Sequence, residues 1–162
     1  MVGSISKRTM VALAALLVVA GAAAVVLVQQ DLAKQAALQS VADQAAAYID
    51  GVSATAGENA ARMSLGPGGS LELPEIAAGN IYTLTLSRSE AVAAFDGHRA
   101  AAILHSHLHL WEPRAGPYTT ASVAELDALH PSMTLESGGS AIVSRRYLTV
   151  DGNQALETFA FP

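Results

Sequence analysis

The chain has no cysteine. Disulfides, thiolate metal ligands, cysteine lipidation and cysteine nucleophiles are therefore all excluded. Aromatic residues are scarce, at 5% of the 162 positions, and charged residues reach only 14%. Hydrophobic residues make up 51%, but alanine supplies much of that total. Alanine buries little area per residue, so any core must be thin. No acidic residue precedes Asp31. All 14 Asp and Glu lie from there on, together with seven of the nine Lys and Arg, so this later part carries an excess of seven negative charges. Phosphate binding needs a basic face, which argues against nucleic acid as a partner. Arg145-Arg146 is the only basic pair beyond the amino-terminal flank. Catalytic motifs are also missing. There is no Gly-x-Ser-x-Gly elbow, and Ser137-Gly138-Gly139-Ser140 precedes a strand pattern, so it reads as a turn rather than a phosphate loop. No enzyme activity and no cofactor are expected.

What the chain does have is a long apolar run. Residues 10–28, MVALAALLVVAGAAAVVLV, carry no charge over 19 positions. As a helix they span roughly 28 Å, close to the hydrocarbon thickness of a bilayer. Lys7 and Arg8 lie just before the run. Positive charge on a short flank marks the cytoplasmic side, so residues 29–162 are expected outside as the bulk of a single-pass membrane protein. A cleaved secretory signal is the competing reading, with Ala20-Gly21-Ala22 as the small-residue site. The apolar residues continue past it through Val28, which favours retention. Ala20, Gly21, Ala22, Ala23 and Ala24 leave a smooth helix surface that permits close helix approach in lipid.

Beyond the run the pattern stays helical, with no Gly or Pro from Gln29 to Asp50. Leu38, Val41, Ala45, Tyr48 and Val52 recur at spacings of three and four, as in a coiled-coil seam. That seam can pack on the protein's own domain or on neighbouring subunits. Gly51 weakens the helix, which is expected to fade by about Met63 before Gly66-Pro67-Gly68-Gly69 ends it. The expected organisation is residues 1–28 as flank and anchor, 29–66 as external amphipathic helix and linker, and 67–162 as an antiparallel β-domain. The fold class is α+β.

In the last part the period changes to two, and about five to seven short antiparallel strands are expected. Asp96-Gly97 and Asp151-Gly152 each separate two strand patterns and predict tight hairpins. Residues 113–117 read as a loop. Ser122 with Glu125 suggests a capping box opening a short helix that Pro131 ends. Phe159 and Phe161 share one face of the final strand and are expected to seal the core.

The sharpest chemical cluster is His105, His107 and His109. On one strand these imidazoles share a face, at successive spacings of roughly 6.6 Å. Two of them can bind one metal ion, with His98 as a third ligand from across the hairpin. The plainer reading is the polar, solvent-facing side of a half-buried strand, since Leu104, Leu108 and Leu110 alternate with them. Tyr82, Trp111 and Tyr118 form a second, aromatic candidate patch. Glu72 and Glu75 flank Pro74 and read as solvated loop residues.

A flanked apolar helix, an amphipathic extension and a small β-domain together resemble the type IV pilin-like proteins, especially archaeal pilin-like and archaellin-like surface proteins. Residues 73–86 are similar to a segment of such proteins, with Leu73-Pro74, then Ala78-Gly79, then Tyr82 and the alternating Leu84 and Leu86. The resemblance implies insertion through the anchor, trimming by a prepilin peptidase, and assembly with like subunits by packing of the apolar helices.

Overall fold

The computed structural model describes residues 2–162, and side chains from residue 10 onward. The Lys7 and Arg8 side chains, which carry the orientation reading, lie outside the described set. The fold is α+β: a long helix, α1 (Val2–Ser53), precedes a mostly antiparallel β-domain with one further helix. The chain divides into two compact units, Met1–Lys34 and Gln35–Pro162.

In the first unit every described residue through Ala33 is exposed. The helix there is long and apolar enough to cross a membrane, and none of its most apolar window is buried. The cause is composition: alanine, valine and leucine in a helix with no polar face leave nothing for water to prefer.

In the second unit the remaining turns of α1 behave differently. Leu38, Val41, Ala42, Ala45, Ala46, Ile49 and Val52 are buried, and Tyr48 packs beside them half-buried. The seam thus faces the β-domain's own core. Its Ala positions let the helix sit close to the sheets, and its opposite face carries Asp43 and Gln44. α1 also covers a sheet edge. Gln35 Nε2 donates to Arg99 O at 2.9 Å and Gln39 Nε2 donates to Ala101 O at 3.2 Å, satisfying carbonyls that an unpaired edge would leave open.

The helix stops at Ser53, well short of the expected Met63. Residues from Asn59 to Leu65 instead form strand β1. Gly51 and the stretch Ala54-Thr55-Ala56-Gly57 do little to prolong a helix, because glycine and threonine are weak helix formers. Strand β1, by contrast, gains a full ladder with β10 (Ser140–Val150). The β-domain therefore includes residues assigned from sequence to the linker.

Eleven strands form among the described residues, more than the five to seven expected. A five-stranded sheet has the order β2-β1-β10-β11-β8, with β2 at Leu71–Leu73, β11 at Asn153–Phe161 and β8 at Leu108–His109. A four-stranded sheet has the order β7-β6-β5-β9, with β5 at Thr83–Ser87, β6 at Glu90–Phe95, β7 at His98–Ile103 and β9 at Ser132–Leu135. A two-stranded ribbon, β3 (Ile76–Ala77) with β4 (Asn80–Ile81), stands apart. Two pairings are parallel, β1 with β2 and β8 with β11.

Both Asp-Gly hairpins form where expected. Asp96 and Gly97 join β6 to β7, and Asp151 and Gly152 join β10 to β11. All four residues have positive φ, from 41° to 82°, as a right-twisted two-residue turn requires.

The five-stranded sheet is covered on both faces because its strands alternate. Ala141, Val143 and Ala160 enter the main core with α1. Phe159 and Phe161 point the other way, into a second cluster with Trp111 and Leu148. Helix α2 (Thr120–Leu129) packs its half-buried Val123 and Leu126 on that cluster. The two phenylalanines do share a face, but they seal this smaller core. The box that opens α2 is Thr119 with Ser122, in place of Ser122 with Glu125: each side chain bonds the other's backbone N–H, at 3.1 and 2.9 Å. A β-region Thr119 just before the helix supplies the acceptor three residues earlier than expected.

Candidate functional site

The three sequence-adjacent histidines do not share one strand. β7 ends at Ile103, and the chain crosses from the four-stranded to the five-stranded sheet before β8 begins at Leu108. The crossing is pinned at its middle by Asp50 of α1. Asp50 Oδ1 accepts from Ser106 N at 3.0 Å, Ser106 Oγ at 2.7 Å and His105 N at 3.1 Å. Oδ2 lies 3.0 Å from His105 Nδ1. Burial alone would raise the Asp50 pKa, but the hydrogen bonds from Ser106 and His105 outweigh it and hold the carboxyl below its ordinary value. His105 therefore belongs to a surface pair with Asp50, apart from the other two.

From His107 onward the alternation is regular. Leu108 and Leu110 enter the main core, while His107, His109 and Trp111 alternate with them. This second face looks to water only at His107; further along it is covered, and His109 is 4% exposed. The imidazole stacks on Phe159 at 5.2 Å and meets Trp111 at 5.6 Å.

The polar partner that makes this burial tolerable is Asp127, on the inward face of α2 and itself 6% exposed. Its Oδ1 lies 2.8 Å from His109 Nδ1 and accepts from Trp111 Nε1 at 2.9 Å. Its Oδ2 lies 4.0 Å from His107 Nε2. On the far side of the His109 ring, Nε2 is 3.7 Å from Glu157 Oε2, on β11. Burial opposes the Asp127 charge, yet the bonds from His109 and Trp111, with the nearby His109 ring and Arg88 charge, hold its pKa below the ordinary range.

The group brought together is thus His107, His109 and Asp127, with Trp111 and Glu157 around it. One ligand atom from each of the first three lies within 4.8 Å of the others. His98 is elsewhere, stacked on Phe95 at 5.4 Å in the β6–β7 hairpin. Sequence spacing does not pick out Asp127 or Glu157. A signal for Asp127 does exist: an acidic residue next to Leu126 and one turn after Val123 sits on the apolar stripe of α2. Glu157 leaves no such trace, because strand pairing alone brings it near β8.

The aromatic candidates separate as well. Tyr82 lies in the main core, where its hydroxyl donates to Pro74 O and burial raises its pKa to about 12. Trp111 and Tyr118 meet at 5.5 Å and line a groove of about 690 Å³ with Leu126, Met133 and Phe161. Gly138 and Gly139 make the expected turn, tied to Leu65 by two 2.9 Å backbone bonds. Glu72 is exposed but lies in strand β2 rather than a loop, and it accepts from Gly68 N at 2.8 Å.

Comparison of the chain with protein-family models, with curated proteins and with solved structures finds no match.

Proposed function

We propose that the chain is a non-enzymatic, membrane-anchored structural subunit of the pilin-like kind. In this reading residues 10–28 cross the membrane, the amino terminus is cytoplasmic, and the β-domain stands outside at the cell surface. Copies of the chain, or related pilin-like subunits, associate through the apolar part of α1.

The observation that carries this reading is the contrast along α1. Its residues 38–52 are committed to the β-domain's core, whereas residues 10–33 are exposed throughout. An apolar helical surface of that length demands lipid or other helices. Association is thereby confined to the part before Lys34, where Ala20 to Ala24 offer a small-residue surface.

Because the chain lacks cysteine, a single introduced cysteine reports alone. Gly21→Cys has open space around it. We expect it to form a disulfide-linked dimer when native membranes are oxidised, and the full-length protein to run as an oligomer in mild detergent. A dispersed monomer with no cross-link at positions 13, 17, 21 or 24 would remove the assembly role and leave a plain anchor. Ser137→Cys should react with a membrane-impermeant maleimide on intact cells; labelling only after permeabilisation would reverse the orientation.

A further inference from the structure

We infer that His107, His109 and Asp127 form a binding site for a divalent transition-metal ion, held in shape by Trp111 and Glu157. The inference is independent of the assembly role, since it concerns the seam between β8, β11 and α2.

The donor set suits the chemistry. Two imidazole nitrogens and a carboxylate oxygen are ligands for zinc and its neighbours, not for calcium or magnesium. Ligand atoms on a tetrahedral zinc lie roughly 3.4 Å apart. The His107 Nε2–Asp127 Oδ2 separation of 4.0 Å is slightly wider than this, and one ligand atom from each of the three residues lies within 4.8 Å of the others, so side-chain rotations inward complete the site. The 4.0 Å separation is too long for a hydrogen bond, and the His107 ring is held by its edge-on contact with His109, at 4.9 Å.

The supports are what distinguish this group from a chance cluster. A metal-bound histidine ordinarily donates its other N–H to a carboxylate, and a metal-bound carboxylate keeps a hydrogen bond on its free oxygen. The Trp111 bond stands in place, and a Glu157 oxygen lies just beyond hydrogen-bond distance of the His109 ring. With His109 ligating through Nδ1, its proton sits on Nε2, which faces Glu157 Oε2 at 3.7 Å. With Asp127 ligating through Oδ2, Oδ1 keeps the 2.9 Å bond from Trp111 Nε1. The metal replaces the Nδ1–Asp127 hydrogen bond, and Glu157 is the carboxylate that faces Nε2. His107 is the solvent-side ligand, with its side chain 56% exposed, so the ion has an entry path and a position open to water.

The test uses the full chain in detergent after chelator treatment, with Zn²⁺ and Co²⁺ salts as probes. Calorimetry reads the stoichiometry. Trp111 is the only tryptophan, so its fluorescence reports on Asp127 directly, and Co²⁺ should quench it. One saturable equivalent is expected. His107→Ala, an exposed change that the fold tolerates, should weaken binding at least about tenfold with an unaltered melting temperature. Glu157→Gln should weaken it about ten- to a hundredfold. His105→Ala should bind as the parent does. The inference is overturned by an absence of saturable heat and quenching, by a His107→Ala chain that binds like the parent, or by loss of binding in His105→Ala.

Discussion

Asp50 offers the most exacting test of how the β-domain is held together. It sits one turn from the end of α1, where the helix dipole disfavours a negative charge. Its position is explained by the crossing it holds, because its two oxygens gather the His105 and Ser106 backbone N–H groups, the Ser106 hydroxyl and the His105 ring. Hydrogen bonds to a charged acceptor contribute about 1.5–3 kcal/mol each where water is excluded. Here the site is partly open, so water recovers much of that on removal, and relief from the dipole returns about 0.5 kcal/mol. Asp50→Ala should therefore cost about 2–3 kcal/mol, a fall in melting temperature of roughly ten degrees. Asp50→Asn keeps an oxygen for the three Oδ1 donors and should cost about 1 kcal/mol. The assay is thermal unfolding of the full chain in detergent, followed by Trp111 fluorescence. The pH dependence gives a second check. The folded Asp50 pKa lies below its ordinary 3.8, so its stabilisation is complete above that value and is lost as pH falls through the folded pKa. The gap between parent and Asp50→Asn should be flat near neutrality and close in acid. An Asp50→Ala chain within about 0.5 kcal/mol of the parent, or a gap that persists in strong acid, would refute the assignment of Asp50 as the pin.

Five further substitutions, two of them controls, probe other parts of the fold by the same melting assay. Ile49→Ala empties a fully buried position on α1 and should cost about 2–5 kcal/mol, whereas the exposed Leu17→Ala should leave the β-domain's transition unmoved. Ala78→Asn should raise stability by about 0.5–1 kcal/mol, because Ala78 holds φ at 47° in the β3–β4 turn and Asn-Gly suits that turn far better. Gly69→Ala should destabilise by about 1–3 kcal/mol, since its Cβ would sit 2.8 Å from the backbone oxygens of Arg62 and Leu71; Gly57→Ala, with open space around it, is the matched control and should be close to neutral.

Those features that depend on neighbours in sequence are legible. The apolar run, the seam at Leu38, Val41, Ala45 and Val52, and both Asp-Gly hairpins each rest on a local period or a local φ requirement. The strand at Asn59–Leu65 is not legible, because Asn-Ala-Ala-Arg-Met-Ser-Leu has no strand preference of its own. It becomes a strand through its ladder with β10, a distant segment of the chain. The strand count exceeds the expected one for a related reason. Two- and three-residue strands such as β2, β3, β4 and β8 are too short to show a period, and two of the pairings are parallel. Only tertiary placement creates them.

The site shows the same division with a sharper consequence. An unbroken strand over residues 98–110 would put His105, His107 and His109 on one face. Asp50 breaks it. By bonding the His105 and Ser106 backbone it turns the chain between sheets, separates His105 from the others, and starts a new register at Leu108. The residue that replaces His105 in the cluster, Asp127, comes from a helix whose inward face would otherwise be apolar. Histidine spacing therefore identifies two of the three clustered groups for a reason unrelated to the third. The same carboxylate at Asp50 that stabilises the crossing also delivers His107 to Asp127. If both assignments hold, Asp50→Ala should weaken Zn²⁺ binding as well as lower the melting temperature, whereas Ile49→Ala, one residue away but facing the core, should affect stability far more than binding in chains that remain folded.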